Sequence, residues 1–349
     1  MSIVSEGSIT RDEETVSDQM GDVQTSGFLR SLYVTMLRIR LFEERAAELV
    51  EAGEVNCPCH LYIGQEGIAA GVCAALKKKD YVWGGHRSHG HYLAKGGDLR
   101  AMMAELFGKA TGCSGGRGGS MHLLAKDVNI LGTVPLVAAT IPLAVGSALA
   151  AKMRGDESVS VVFFGDGATE EGHFHESVNM AALYRLPVIF VCENNFYASH
   201  MGLLERREAD NIYKSAEAHG IPGVRLDGNN AVEVYLATVK ATDLARAGGG
   251  PTLLECRTYR WRGHVGHSWD MDVGVKRKDE LKEWLAKDPV ALVRTGLVNL
   301  GVSPDELDGI RLEIQNQVDE SILFARESPY PRKEDLQKHV FHSKEGEGQ

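Results

Sequence analysis

The chain has 349 residues, 43% hydrophobic and 25% charged, with 48 acidic against 38 basic side chains and a net charge of −10. That length and composition suit one large α/β domain or two smaller ones with ample core. The acidic balance argues against nucleic-acid binding as the main function, and no apolar run approaches the ~20 residues that span a bilayer.

Residues 1–26 are polar and acidic, lack the basic and apolar regions of a signal peptide, and read as a flexible N-terminal arm. From Gly27, the spacing of Leu29, Leu32, Tyr33, Met36, Leu37, Ala46 and Leu49 predicts an amphipathic helix to about Ala52. The six cysteines, 57, 59, 73, 113, 192 and 256, are scattered through apolar or Gly-rich segments, which suggests reduced thiols in a cytoplasmic protein. Cys57-Pro58-Cys59 lacks a second pair at zinc spacing, so a structural role is expected for it.

Gly67–Leu76 predicts a tightly packed helix and Asp80–Trp83 a short strand. That strand runs into GGHRSHGH, which places His86, Arg87, His89 and His91 within six residues. Such a cluster after a glycine pair at a strand end favours a functional role over a structural one. Arg87 is the best anion ligand in it, because its planar fork is permanently charged. Zinc is disfavoured, since no carboxylate or cysteine completes a site locally. Residues 111–122, TGCSGGRGGSMH, can be neither helix nor regular strand and are expected to form an ordered loop near a ligand or a subunit contact. From Pro142, the residues Ala144, Gly146, Ser147, Ala148, Ala150 and Ala151 predict a helix of small side chains, which core packing explains as well as an interface does.

The stretch from Ser158 to Tyr197 predicts a β-α-β unit. Two apolar runs, SVSVVFFG and LPVIFVCE, flank a segment of helical length, as in a parallel sheet covered on both faces. Gly165-Asp166-Gly167 and Asn194-Asn195 fall at the C-terminal ends of the two strands, the edge where open α/β sheets bind ligands. The glycines allow a sharp turn and close approach, Asp166 is a hard oxygen donor, and the segment from Ala168 is expected to start a helix whose N–H groups favour an anion. One carboxylate and one amide oxygen leave open positions on a magnesium ion that a diphosphate would fill. Further on, Ser303-Pro304-Asp305-Glu306 has a capping-box pattern, and Leu307, Ile310, Ile314, Val318 and Ile322 continue one apolar stripe. Residues 266–290 predict a polar loop and then a helix around Glu280 to Leu285; residues 331–349 read as a tail.

GDG, 26 intervening residues and then NN resembles the thiamine diphosphate motif. HLYIGQEG, YVWGGHRSHGH, GCSGGRGGSMH, IPLAVGSALA, GDGATEEGHFHE, NMAALYRLPVIFVCENNFYA and ECRTYRWRGH occur in the order found in the alpha subunit of 2-oxo acid and acetoin dehydrogenase complexes. The resemblance covers roughly residues 27–330. It implies an α/β thiamin diphosphate-binding fold, a mostly parallel sheet with helices on both faces. It also implies thiamine diphosphate and Mg2+ as cofactors, and decarboxylation or C–C cleavage of a 2-oxo acid or acetoin with acyl transfer to a lipoyl acceptor.

By the same resemblance, Asp166, Asn195 and the Tyr197 carbonyl hold the metal, and Gly167 and Ala168 donate N–H groups to the diphosphate. Arg87 matches a diphosphate-binding arginine, with His86 where the family carries tyrosine. Val134 and Leu136 fall in the VPLVAATIP segment that shapes the cofactor, and Leu136 best fits the bulky wedge. His264 matches a histidine that contacts the diphosphate and handles protons, and His60 a neighbouring active-site histidine. Mammalian relatives carry a phosphorylatable serine after the former; Val265 stands here. The glutamate that activates the cofactor lies on a separate beta chain in such enzymes, so an inactive lone chain, an α2β2 heterotetramer and a lipoyl acyltransferase partner are expected. Two other readings stay open: a thiamine-dependent acyl or ketol transferase of a biosynthetic pathway without a lipoyl complex, favoured by His86 and the GHVGHSWDMDV loop, and a non-catalytic regulatory or binding subunit.

Overall fold

The computed structural model describes residues 25–271 and 278–338. The expected arm up to residue 24, residues 272–277 of the polar loop and the tail from 339 lie outside the described residues. The first part of the expected tail carries a 3₁₀ turn, Lys333–Gln337.

Helix α1 (Ser26–Glu51) starts where Thr25 caps it, its hydroxyl accepting from the Phe28 N–H at 3.3 Å. Its buried stripe includes Leu32, Met36 and Phe42. The chain continues through α2 (Glu66–Ala74), β1 (Tyr81–Gly84), α3 (His89–Ala94), α4 (Leu99–Leu106), β2 (Ile130–Thr133) and α5 (Thr140–Arg154). Pro142 sits in the first turn of α5, where a missing N–H costs nothing. Then come β3 (Ser160–Gly165), α6 (Gly172–Leu183), β4 (Val188–Asn194), a two-residue hairpin of β5 (Tyr197–Ala198) and β6 (Met201–Gly202), and α7 (Leu203–Arg206). The rest comprises β7 (Gly223–Asp227), α8 (Ala231–Arg246), β8 (Thr252–Arg257), α9 (Lys278–Leu285), α10 (Pro289–Asn299) and α11 (Pro304–Glu327). The Ser303 cap expected for α11 is present, its Oγ accepting from the Glu306 N–H at 3.1 Å. Helices α10 and α11 pack against α1.

Six strands form one parallel sheet in the order β2-β1-β3-β4-β8-β7. Strand alternation divides the core in two. Val161, Phe163, Ile189 and Val191 face one cluster with α1, α2 and α8, whereas Val162, Phe164, Val188 and Phe190 face another with α5 and α6. Both faces are therefore covered, which is why β3 and β4 are apolar without interruption. The expected α/β architecture, a parallel sheet with helices on both faces, is the one observed. Among the described residues, no helix is long and apolar enough to cross a membrane.

Two features of this frame place the site. From β1 the chain steps outward to β2, and from β3 it steps the other way to β4, so the order reverses between β1 and β3. Ligand crevices of open α/β sheets lie at such a switch point, beyond the C-terminal strand ends. Register then aligns the tips, since Gly165 pairs with Glu193 across β3 and β4. One local expectation fails. Asp166–Glu170 is a 3₁₀ turn and the helix begins only at Gly172. Thr169 Oγ1 donates to the Asp166 carbonyl at 2.7 Å, which favours the tighter turn.

The 111–122 loop is ordered, as expected, by one buried carboxylate. Glu105 accepts from the N–H groups of Ser114, Gly116, Gly118 and Gly119 at 2.7–3.0 Å. Gly116 has φ +74, and a Cβ there would meet the Gly108 carbonyl at 2.6 Å, so only glycine fits this turn.

Candidate active site at the sheet switch point

A cavity of about 380 Å³ opens at the C-terminal edge of the sheet. Gly85, His86 and Arg87 follow β1 into it, Leu136 and Val137 follow β2, and Gly165 to Ala168 follow β3. Asn195 and Tyr197 enter from beyond β4, Arg260 and His264 from beyond β8, and His60 from the segment before α2.

At one end lie hard oxygen donors. Asp166 is 1% exposed, and burial pushes its carboxyl pKa up against the opposing pull of Arg206. Arg206 ion-pairs with both Asp166 and Glu170. The two asparagines divide their tasks. Asn194 is fully buried, donates to Glu255 at 2.8 Å and accepts from the Phe196 N–H at 3.1 Å. Asn195 faces the cavity, donates to Gln65 Oε1 at 3.0 Å and accepts from the Tyr197 N–H at 3.3 Å. The Tyr197 carbonyl accepts from Arg260 at 3.4 Å. Phe196 between them has φ 68, and Ala138 across the cavity has φ 63. Left-handed non-glycine residues are uncommon and concentrate where a site over-determines its backbone. At Gly167 a Cβ would meet the Ala198 Cβ at 2.9 Å, so the turn passes under the β5 hairpin only as glycine.

Another part of the lining is made of imidazoles. The ring centroids of His60, His86 and His264 stand 4.8, 5.0 and 5.3 Å apart. Burial first, then the neighbouring Arg87 cation, lowers their pKa values to about 3, about 2 and about 4 respectively. All three are therefore neutral near neutral pH. Arg87, itself lowered to about 9 by burial, donates to the Leu61 carbonyl at 2.5 Å and the His264 carbonyl at 3.1 Å. It ties the β1 tip to the histidine-bearing loop. That loop is closed by Gly263 N–H donating to Ser268 at 2.9 Å and by a buried Arg260–Asp270 ion pair at 2.8 Å. His60 Nδ1 and Gln65 Nε2 are buried without a hydrogen-bond partner among the described residues.

A histidine neutral in the fold and protonated when unfolded stabilises the fold above its ordinary pKa and loses that contribution as pH falls. For His264 the window runs from 6.5 down to about 4. The urea midpoint is accordingly expected to drop between about pH 6.5 and about pH 4, and His86→Tyr to make that drop shallower. Equal drops in parent and variant would remove His86 from the account.

Of the candidates, His60, His86, Arg87, Leu136, Asp166, Gly167, Ala168, Asn195, Tyr197 and His264 all line this one cavity. Val134 does not: it extends the β2 end and donates to the Gly84 carbonyl at 3.1 Å. Gln65, Glu193, Arg206 and Arg260 were missed. Gln65 sits in the quoted HLYIGQEG block and Glu193 directly precedes the asparagine pair, so adjacency was their only signal. Arg206 follows the hairpin, and nothing local marks it.

The family described as Dehydrogenase E1 component matches residues 33–334. The chain is 42% identical over 319 residues to an acetoin:2,6-dichlorophenolindophenol oxidoreductase alpha subunit of Bacillus subtilis, covering 91% of this chain and 94% of that protein. It is 40% identical over 318 residues to a pyruvate dehydrogenase E1 component alpha subunit of Porphyra purpurea, covering 89% and 92%. A pyruvate dehydrogenase E1 component alpha subunit of Rhizobium meliloti is 40% identical over 301 residues, covering 86% of each chain.

Proposed function

The chain belongs to the dehydrogenase E1 component family, and from that premise we propose that it is the alpha subunit of a thiamine diphosphate-dependent 2-oxo acid or acetoin dehydrogenase. The observation that carries the reading is the pairing of buried Asp166 with cavity-facing Asn195 on adjacent strand tips, in one cavity with a wall of neutral histidines.

The residues present fit a magnesium-bound diphosphate. A carboxylate, an amide oxygen and a carbonyl are the donors Mg2+ takes, and it keeps open positions for phosphate. Asp166, Asn195 Oδ1 and the Tyr197 carbonyl would hold the metal; Gly167 and Ala168 N–H groups, Arg87 and His264 would hold the diphosphate. The partnerless Gln65 Nε2 and His60 Nδ1 supply further polar capacity toward a ligand. Arg206 already places a cation against Asp166, so a metal ion held by Asp166 would compete with it, and Glu170 would remain as its partner.

Thiamine diphosphate, when bound, supplies a carbon nucleophile and an electron sink for decarboxylation or C–C cleavage. The chain's own residues do the positioning. His264, neutral at working pH, can accept a proton at one ring nitrogen and donate from the other to a substrate oxygen. His60 packs edge-on against it and His86 packs beside it at a tilt. Arg87 holds the His264 backbone in place.

A partner completes the site. Leu136 (67% exposed) and Val137 (53%) line the cavity, and Leu143 (45%) and Met153 (79%) on α5 are further exposed apolar side chains. A beta subunit that covers these side chains and brings the activating glutamate fits an α2β2 heterotetramer, with a lipoyl acyltransferase as the acyl acceptor. The cytoplasmic placement expected from composition belongs to the same proposal; all six cysteines are free.

Leu136→Ala is expected to weaken thiamine diphosphate binding by the α/β assembly while shifting stability by no more than ~0.5 kcal/mol, as for an exposed residue. Calorimetric titration beside urea unfolding checks both; unchanged affinity removes Leu136 from the cofactor contact. A substrate panel with an artificial electron acceptor tests the function as a whole. Oxidation of pyruvate, a branched 2-oxo acid or acetoin supports it, and carboligation without oxidation moves the chain to a transferase.

A further inference from the structure

Beside the histidine wall lies a pair of thiols that the reaction does not use. Cys57 and Cys59 flank Pro58, and their sulfurs stand 3.7 Å apart. Cys59 is 1% exposed, whereas Cys57 is half-buried and reachable from solvent. Pro58 fixes its own φ, so the two side chains start near one another at little entropic cost. Among the described residues, the only group of three metal-ligating side chains is His60, His86 and His264, so these thiols lack the further ligands of a zinc site.

The surroundings favour oxidation chemistry. The hydrogen bond from Cys59 draws the Cys57 thiol down to about 7, with the nearby His89 adding a smaller electrostatic pull. His89 itself is held by Glu43 at 2.9 Å and Ser120 at 2.8 Å. Cys57 is therefore substantially thiolate near neutral pH, the form that attacks electrophiles. Cys59 is pushed up, chiefly by its bond to Cys57 and then by burial, and stays a thiol while Cys57 is anionic.

We propose that Cys57 and Cys59 form a redox-active dithiol that a hydroperoxide closes to a disulfide, and that closure displaces the histidine wall. The Cys57 thiolate attacks one peroxide oxygen, the O–O bond breaks, and the alkoxide or hydroxide leaves and takes up a proton. Cys57 then carries a sulfenic acid, and the bond that had held Cys59 as a thiol is gone. Cys59 Sγ attacks Cys57 Sγ, and the hydroxide released leaves as water with the Cys59 proton. The two thiols lose two electrons and two protons; the peroxide gains both and becomes an alcohol, or water, plus water.

Closure shortens the sulfur separation from 3.7 Å to about 2.0 Å. A ring with a single intervening residue is strained, so it stays reducible by small thiols. Its movement reaches the site by two routes. His60 is the next residue in the chain, and the Cys59 carbonyl accepts the Gly266 N–H at 2.9 Å in the loop that carries His264. On the other side Gly119 leaves room for Cys57, since a Cβ there would stand 3.1 Å from the Cys57 Cβ.

The test uses the full chain assembled with its beta partner, treated with hydrogen peroxide, thiol-blocked and digested. The peptide spanning both residues is expected to lose the mass of two hydrogens before the other four cysteines react. Turnover is expected to fall several-fold and to return with dithiothreitol, and Cys57→Ser to keep the reduced rate and lose the peroxide sensitivity. The effect on turnover rests on the function proposed above, but the mass readout does not, so the two fail separately. If the variant does not fold, the parent's peptide masses decide alone. Both thiols intact at a dose that oxidises the other cysteines would overturn the dithiol, as would arrest of Cys57 at the sulfinic acid. Closure without loss of turnover would overturn the link to the histidine wall.

Discussion

Replacing Asp166 with alanine is expected to weaken Mg2+ binding by the α/β assembly by more than ~100-fold, above the ~10–100-fold that loss of an outer-shell partner costs. Turnover with an artificial acceptor should fall with it. The reason is geometric and electrostatic together. Asp166 is the carboxylate on the β3 tip beside Asn195, and at 1% exposure it has almost no water to stabilise its charge. Its ion-pair partner is Arg206, with Arg260 adding a smaller electrostatic pull, and Arg206 retains Glu170 when Asp166 is removed. The fold should therefore survive the substitution better than the metal site does. Asp166→Asn makes the companion variant, since it keeps the shape and removes the charge. Magnesium affinity within about tenfold of the parent in a folded Asp166→Ala assembly would show that the metal sits elsewhere.

Purified by itself, the chain is expected to turn over 2-oxo acid or acetoin no faster than ~10⁻²–10⁻⁴ of the rate of the assembly, the usual cost of a missing general acid–base group. Three of the four carboxylates that line the cavity are committed. Asp166 and Glu170 share Arg206, and Glu193 accepts from the Tyr62 hydroxyl and from His91 at 2.8 Å. Glu171 is exposed on the same side, just after the turn that follows β3. In the proposed assembly the activating glutamate comes from the beta subunit. Steady-state rates for the chain alone and with the beta subunit check this, and equal rates would mean that the chain carries a complete site.

The parts of the site that were legible in the sequence are those in which one residue type can do the job. Asp166 and Asn195 stood out because a polar group directly after an uninterrupted apolar strand marks a sheet edge, and two such strands fix two such groups side by side. His86 and Arg87 stood out for the same reason after β1. The helix start after Gly167 was misplaced, because a 3₁₀ turn and a first helical turn share the same residues and differ only in the Thr169 hydroxyl bond. Val134 does not line the cavity, and its N–H donates to the Gly84 carbonyl at the end of β1. Arg206 and the grip of Glu105 on its glycine loop were invisible, since each joins positions whose proximity only the tertiary fold creates. The same holds for the thiol pair, whose link to the His264 loop runs through one backbone hydrogen bond.

Calorimetric titration of the α/β assembly with thiamine diphosphate, with Mg2+ present and again after chelation, tests the central claim most directly. Saturable binding that requires the metal and is lost in Asp166→Ala is the expected result. Binding that is indifferent to both chelation and Asp166, or no binding at all, would contradict it.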